Sequence, residues 1–346
     1  MIDHQINYLI NSDFHLSLEY IRVSAGTAAV LGLIEMQLDA IPTTAYLMLY
    51  TENRCLANCV FCPQARESKA RPDALSRILW PKFKILDVKV AFDILPNPNP
   101  FERICIQAIN YIGFFDDLVE IIEVLREIGI PMSVSVPPLK YEQMQKLKEL
   151  GISRIGIPLD AATESIFYNI KGKGVKSPYK WENHMESIKG AQSIFGVGNV
   201  STHLIIGLGE KEFEAIKFLQ EMIDSKVLPA LFSFTPVKGT QFENKPRPSI
   251  KYYRKIQIAR HLLINQICRL ENFTFNESGE LIKLGISKEQ LSEIIQTGIP
   301  FLTTGCPGCN RPFYNERPGE ILFNYPRSLS YEEISEISKC LEEFVQ

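Results

Sequence analysis

The chain is 346 residues long, 45% of them hydrophobic and 22% charged, with a formal net charge of -3. It can bury a substantial core as one large α/β unit or as two domains, and it lacks the clustered excess of Lys and Arg that a nucleic-acid partner would require. Asp3 and Asp13 precede any Lys or Arg, so no secretory signal is legible, and the uncharged run from Val23 to Ile34 falls short of the roughly 20 residues that span a bilayer. A cytoplasmic protein with no membrane partner is expected, whose eight cysteines are metal ligands or core thiols rather than disulfides.

Residues 1–42 read as a helical N-terminal extension with the small-residue run Ser24-Ala25-Gly26-Thr27-Ala28-Ala29 at its middle. Over residues 43–245 strand-like and helix-like segments alternate, the pattern of βα units on a parallel sheet. The predicted strands are Thr44 to Tyr50, Arg103 to Ile109, Met132 to Val136, Ile155 to Leu159, Val200 to Ile206 and Ala230 to Thr235. Helical periodicity predicts Asp116 to Ile128, Tyr141 to Leu150, Glu212 to Asp224 and Tyr252 to Leu270. Residues 246–346 make a C-terminal helical region that carries a second cysteine motif.

Directly after the first strand comes Arg54-Cys55-Leu56-Ala57-Asn58-Cys59-Val60-Phe61-Cys62-Pro63-Gln64. Cys55, Cys59 and Cys62, at C-x3-C-x2-C spacing in one loop, can supply three thiolates to a four-iron four-sulfur (4Fe-4S) cluster and leave one iron without a protein ligand. The plainer readings are a zinc knuckle or three unrelated core thiols. Zinc sites normally add a second pair of Cys or His nearby, and none lies within forty residues of Cys62. The motif resembles that of the radical S-adenosylmethionine (SAM) superfamily, whose members chelate SAM through the open iron. The resemblance implies SAM as cofactor, an aromatic shield for the cluster at Phe61, and an α/β fold. That fold is a partial (β/α)6 TIM-like barrel with an N-terminal helical and a C-terminal metal-binding extension. Barrels of this kind place chemistry at the C-terminal ends of their strands, where this loop stands.

Residues i and i+2 share one face of a strand. Cys105 with Gln107, Ser133 with Ser135, Ser201 with His203, and Ser233 with Thr235 therefore form polar pairs opposite Ile, Val, Leu or Phe. Any single Ser is more simply a filler in a wet lumen, but recurrence on four strands points to a ligand cavity, with Gln107 and His203 as candidate cofactor contacts.

Asp160 ends the fourth predicted strand in Gly156-Ile157-Pro158-Leu159-Asp160-Ala161. Similarity to biotin-synthase-like members implies that this acid binds the ribose hydroxyls of SAM, although Pro158 stands where they carry Asn. The local alternative is an N-cap of the next helix. Gly207-Leu208-Gly209-Glu210 after the fifth strand is similar to the superfamily's glycine turn, in which Gly207 and Gly209 would let adenine approach bare backbone.

Downstream stands Gly305-Cys306-Pro307-Gly308-Cys309-Asn310-Arg311-Pro312, a turn that aims two sulfurs at one point. Cys268 and Cys340 fall in apolar helical patterns and read as core residues. Cys105 belongs to the polar lining and occupies the strand position where biotin synthase carries an auxiliary-cluster cysteine. Cys105, Cys306 and Cys309 are thus the candidate ligands of an auxiliary 4Fe-4S cluster, drawing the C-terminal segment across the barrel mouth. A structural zinc at the C-P-G-C turn is the competitor.

The stretches from Pro42 to Arg66 and from Gly305 to Gly319 resemble the biotin-synthase-related subunit of the two-protein lipoyl synthase of archaea. That resemblance implies a radical SAM sulfurtransferase of lipoate biosynthesis. Its substrate would be an octanoyl chain on a lipoyl carrier protein or domain, its partners a second radical SAM subunit and an electron donor such as ferredoxin. The alternatives are a radical SAM enzyme of another reaction, mutase or thiolation, and a non-catalytic iron-sulfur subunit.

Overall fold

The computed structural model describes residues 18–316 and 319–345. Strands run in the order β1 (Tyr20–Val23), β2 (Thr44–Leu49), β3 (Ala74–Leu75), β4 (Ile78–Leu79), β5 (Lys82–Lys84), β6 (Arg103–Gln107), β7 (Met132–Ser135), β8 (Ile152–Gly156), β9 (Val200–Ile206) and β10 (Leu228–Ser233). The main sheet has the order β10-β9-β8-β7-β6-β2-β1-β5. From β2 to β10 neighbours are parallel, whereas β1 pairs antiparallel with both β2 and β5. The N-terminal extension is thus not simply helical: before the short helix Ala25–Val30 it adds a strand set between β2 and the edge strand β5. Residues 1–17 of the expected preface lie outside the described part.

Helices Phe114–Leu125, Tyr141–Glu149, Trp181–Phe195 and Glu212–Asp224 follow successive strands. In Phe114–Leu125 the buried residues Leu118, Ile121, Ile122 and Leu125 fall at i, i+3, i+4 and i+7, one stripe of an α-helix. Those stripes cover the outer sheet face, where Leu47, Ile104, Val134, Ile155, Leu204 and Leu231 are buried. The fourth strand forms three residues earlier than its pattern predicts, and the helix expected over Tyr252 to Leu270 is Ile250–Ile264, so that Cys268 is buried just beyond it. A hairpin of β11 (Thr274–Phe275) and β12 (Leu281–Lys283) and helices Lys288–Gln296 and Tyr331–Cys340 complete the C-terminal region, with Cys340 half-buried. No helix among the described residues is long and apolar enough to cross a membrane.

The inner face is layered. Tyr46, Cys105, Ser133 and Arg154 stand side by side across four strands, and Met48, Gln107, Ser135, Gly156 and Ser201 make the next layer toward the strands' C-terminal ends. Tyr46, Cys105, Ser133, Gly156, His203 and Phe232, one from each parallel strand, line a single cavity of about 1580 Å³, so the sheet curls around it as a partial barrel. On β10 the phase expected from sequence is wrong. Ala230, in register with His203, faces the cavity with Phe232. Ser233 and Thr235 instead meet the C-terminal segment, through the Ser233 carbonyl and the Thr235 hydroxyl.

That segment runs along the seam between β10 and β2, not across the barrel mouth. Leu231 N donates to Thr304 Oγ1 at 2.7 Å and Thr235 Oγ1 to the Asn315 carbonyl at 3.1 Å on the β10 side. On the β2 side Thr44 Oγ1 donates to the Gly308 carbonyl at 3.0 Å, and Thr43 N to Asn310 Oδ1 at 3.1 Å. The C-P-G-C turn therefore closes the open side of the barrel.

Candidate active site

The loop after β2 is fixed by hydrogen bonds to its own and neighbouring backbone. Cys55 N donates to the Gln64 carbonyl at 3.0 Å, and Cys62 N to the Cys59 carbonyl at 3.1 Å. Arg54 reaches the carbonyls of Pro63 and Ala70, both at 2.6 Å, and buried Asn58 reaches that of Val175 at 2.9 Å. Gln64, also buried, donates to the carbonyls of Pro72 and Ala74. Phe61 is half-buried against the main core.

Burial pushes all three thiols up, Cys62 to about 12, with the charge of Cys55 adding to the effect. The sulfurs are thus near enough to repel one another as thiolates, and all three face the Tyr179 phenol, whose own ionisation burial suppresses. Lys171 is a cation that favours their ionisation. Buried thiolates in mutual repulsion need a metal's positive charge, and three sulfurs leaving one position open fit an iron-sulfur cube. Among the described residues no three His, Cys, Asp or Glu converge tightly enough to hold a single metal ion, a convergence that ligands spread over separate irons do not need.

Asp160 stands beyond the end of β8, bridged to Leu204 of β9, with φ at +69°. It does not cap the next helix. Thr163 does, accepting from Ile166 N at 3.2 Å. Asp160 Oδ2 instead receives Lys171 Nζ at 2.6 Å, while Oδ1 lies 3.9 Å from His203 Nδ1. His203 packs at a tilt against Phe232 with ring centroids 4.8 Å apart, and burial lowers its pKa to about 4.

In the glycine turn the Glu210 carboxylate accepts from the backbone N–H groups of Gly207, Leu208 and Gly209 at 2.6, 3.0 and 3.1 Å. A Cβ on Gly207 would meet Pro248 Cδ at 2.7 Å, so this glycine is required by packing, whereas Gly209 opens onto free space.

Cys105, Cys306 and Cys309 all line the cavity. Burial pushes Cys105 up to about 12, with Cys306 and then Cys309 as neighbouring charges that raise it further. Gln107 Nε2 lies 3.1 Å from Cys105 Sγ, and Tyr46 Oη lies 3.4 Å from Cys309 Sγ. The turn is tight enough that a Cβ on Gly305 would stand 2.9 Å from Cys309 Sγ. Arg311 enters the lumen with its guanidinium 3.9 Å from the centre of the Phe232 ring. All eight cysteines are free.

The two cysteine sets are linked through shared neighbours. The first loop follows the C-terminal end of β2, and Cys105 belongs to the deeper layer. A small apolar cluster of Tyr46, Met48, Trp80 and Ile109 packs against Cys55 as well as Cys105 and Cys309, and Tyr314 feels both Cys62 and Cys105. Sequence reasoning did not single out Tyr46, Lys171, Arg311 or Tyr314. The alternation that marks Cys105 would also have marked Tyr46 on β2, whereas nothing local distinguishes Lys171 from Lys173.

The Radical SAM superfamily profile matches residues 49–222, half of the chain. Biotin synthase from Coxiella burnetii is 26% identical over 223 residues, covering 62% of this chain and 65% of that protein. Biotin synthase from Aquifex aeolicus is 27% identical over 211 residues, 58% of either chain. The chain thus spans less than two thirds of the length of these relatives. Among solved structures, methylornithine synthase superposes with a TM-score of 0.50 at 13% identity, covering 69% of this chain and 67% of that one, a likeness of fold. With the cysteine loop at the head of a partial barrel and half its length matched, the chain belongs to the radical SAM superfamily, a family that implies a 4Fe-4S cluster and SAM.

Proposed function

We propose that the protein inserts sulfur into an octanoyl chain carried on a lysine of a lipoyl carrier protein or domain, as one half of a two-subunit lipoyl synthase. It would act with a second radical SAM subunit and draw electrons from a donor such as ferredoxin. The observation that carries this reading is that Cys105, Cys306 and Cys309 line one cavity, while Cys105 and Cys309 pack with Cys55 of the first loop against the same apolar cluster. The similarity to biotin synthases favours the same class of reaction.

When bound, the first cluster and SAM supply a 5'-deoxyadenosyl radical able to take hydrogen from an unactivated carbon, and an auxiliary cluster supplies sulfide. The chain's own part is placement. Cys55, Cys59 and Cys62 would hold the first cluster behind Phe61, with Lys171 as nearby counter-charge. Asp160, held by Lys171 through Oδ2, keeps Oδ1 for the ribose hydroxyls of SAM, beside neutral His203. Gly209 leaves its backbone open to the adenine. Cys105, Cys306 and Cys309 would hold the auxiliary cluster, and the seam segment keeps water from the lumen, where radical chemistry depends on close approach.

The test is anaerobic reconstitution followed by iron and sulfide analysis, then incubation with the second subunit, reductant, SAM and an octanoyl-lysine peptide. Iron for two clusters and a thiolated peptide are expected. Iron for one cluster together with zinc, or no gain in peptide mass, would overturn the reading.

A further inference from the structure

We propose that Gln107 and Tyr46 serve as hydrogen-bond donors to Cys105 and Cys309 and thereby raise the reduction potential of the cluster held there. The inference rests on the auxiliary-site reading above and adds to it residues that no cluster motif contains.

Each donor is aimed by a different device. Gln107 is two residues from Cys105 on the same strand face, which carries its amide nitrogen to 3.1 Å from the sulfur. The Tyr46 oxygen already accepts the Arg311 backbone N–H at 2.9 Å, so its own proton is directed at Cys309 Sγ, 3.4 Å away. Tyr46 stands beside Cys105 in the same inward layer, so one strand register sets both the donor and the cysteine face.

A donor to a ligating sulfur withdraws electron density from it. The reduced cluster carries one more negative charge than the oxidised cluster and gains more from each donor, so its potential rises. In a buried site the effect is stronger than in water. The first loop differs in kind: Cys55 and Cys62 take backbone hydrogen bonds, from Ala57, Asn110 and Gln64.

The experiment uses the full chain with Cys55, Cys59 and Cys62 replaced by Ala, so that only the second site contributes a signal. It is reconstituted anaerobically with iron and sulfide and titrated electrochemically under EPR, alone and with Gln107→Leu or Tyr46→Phe. Equal iron per chain and a midpoint potential lowered by each substitution, and further by both, are expected. A merely structural role would not shift the potential at equal loading. Equal iron with an unshifted potential overturns the inference and leaves the auxiliary site standing. No iron in the folded background, checked by circular dichroism, overturns both. Should that background not fold, the intact chain is titrated instead, and the second cluster appears there as a separate wave. A shift of that wave in the variants supports the inference, and an unshifted or missing wave overturns it.

Discussion

Lys171 Nζ lies 2.6 Å from Asp160 Oδ2 and 2.6 Å from the Pro158 carbonyl oxygen, and the two charged side chains are only 6% and 10% exposed. The pair ties the segment beyond the end of β8 to the chain that follows helix Glu164–Ile170, whose own last carbonyl, at Ile170, accepts Val60 N of the cysteine loop at 2.9 Å. One buried ion pair thus couples the candidate ribose contact to the candidate cluster loop.

Removing the cation alone should be costly. Lys171→Met leaves the Asp160 carboxylate buried and unpaired, a change of about 3–5 kcal/mol. Urea unfolding of the cluster-free protein measures it. Adding Asp160→Asn to Lys171→Met should recover part of the loss, because an amide needs no counter-charge. Equal stability of the wild type and Lys171→Met would mean that the pair is open to water.

Asp160→Ala addresses SAM. Loss of a charged hydrogen-bond partner costs roughly 1.5–3 kcal/mol, about tenfold or more in the dissociation constant. Equilibrium binding of SAM to the reconstituted protein reads this, and an unchanged constant would reduce Asp160 to the Lys171 partner it is seen to be.

Replacing Cys55, Cys59 and Cys62 by Ala should abolish reductive cleavage of SAM, since no other three cysteines stand in that loop. Formation of 5'-deoxyadenosine, followed by chromatography, is the measurement. A wild-type rate in the triple variant would mean that SAM is activated elsewhere.

The parts that sequence exposes are those whose cause is local. C-x3-C-x2-C is fixed by spacing in one loop, and the inward faces of β6, β7 and β9 follow from two-residue alternation. On β10 alternation misleads because Ser233 and Thr235 are polar for a distant reason: they meet Asn315, about eighty positions away. The same holds for Asp160, where the cap is the nearby Thr163 and the true partner is Lys171, set by the path of the loop. β1 escapes notice because its four residues carry too short a pattern. That the C-terminal turn closes the seam was not legible, since its partners Thr43 and Thr44 look like any surface threonine.

Acid should destabilise the fold through His184. This residue is 1% exposed, packed between Phe167 and Tyr179, with Nδ1 2.8 Å from the Lys180 carbonyl and Nε2 buried without a partner. Burial, with the Lys171 charge, lowers its pKa from 6.5 to about 3. Between those values the unfolded chain binds a proton that the folded chain does not, so stability is complete above pH 6.5 and falls as pH drops toward 3, by up to about 1.36 kcal/mol per pH unit. Urea unfolding at pH 7, 6 and 5 should show the slope, and His184→Leu should reduce it by that amount. An identical slope in the variant would assign acid sensitivity to other groups.

Asn310 tests whether the seam segment positions the second cysteine pair. Its Oδ1 accepts Thr43 N at 3.1 Å, and its Nδ2 donates to the Ile41 carbonyl at 2.8 Å. Through these bonds the residue after Cys309 is stitched to the start of β2, three residues before Tyr46. Asn310→Ala removes both, each contributing about 1 kcal/mol, and unpins Cys309 from the Tyr46 hydroxyl without touching a cysteine. The first loop shares none of these contacts. Iron at the second site should therefore be lost faster to a chelator than in the wild type, while iron at the first site and SAM cleavage are kept. Chelator-resolved iron release, followed at both sites by EPR, separates the two. Equal release from the second site would show that the C-P-G-C turn holds its shape independently of the seam; equal acceleration at both sites would show that Asn310 supports the whole barrel rather than its closing edge.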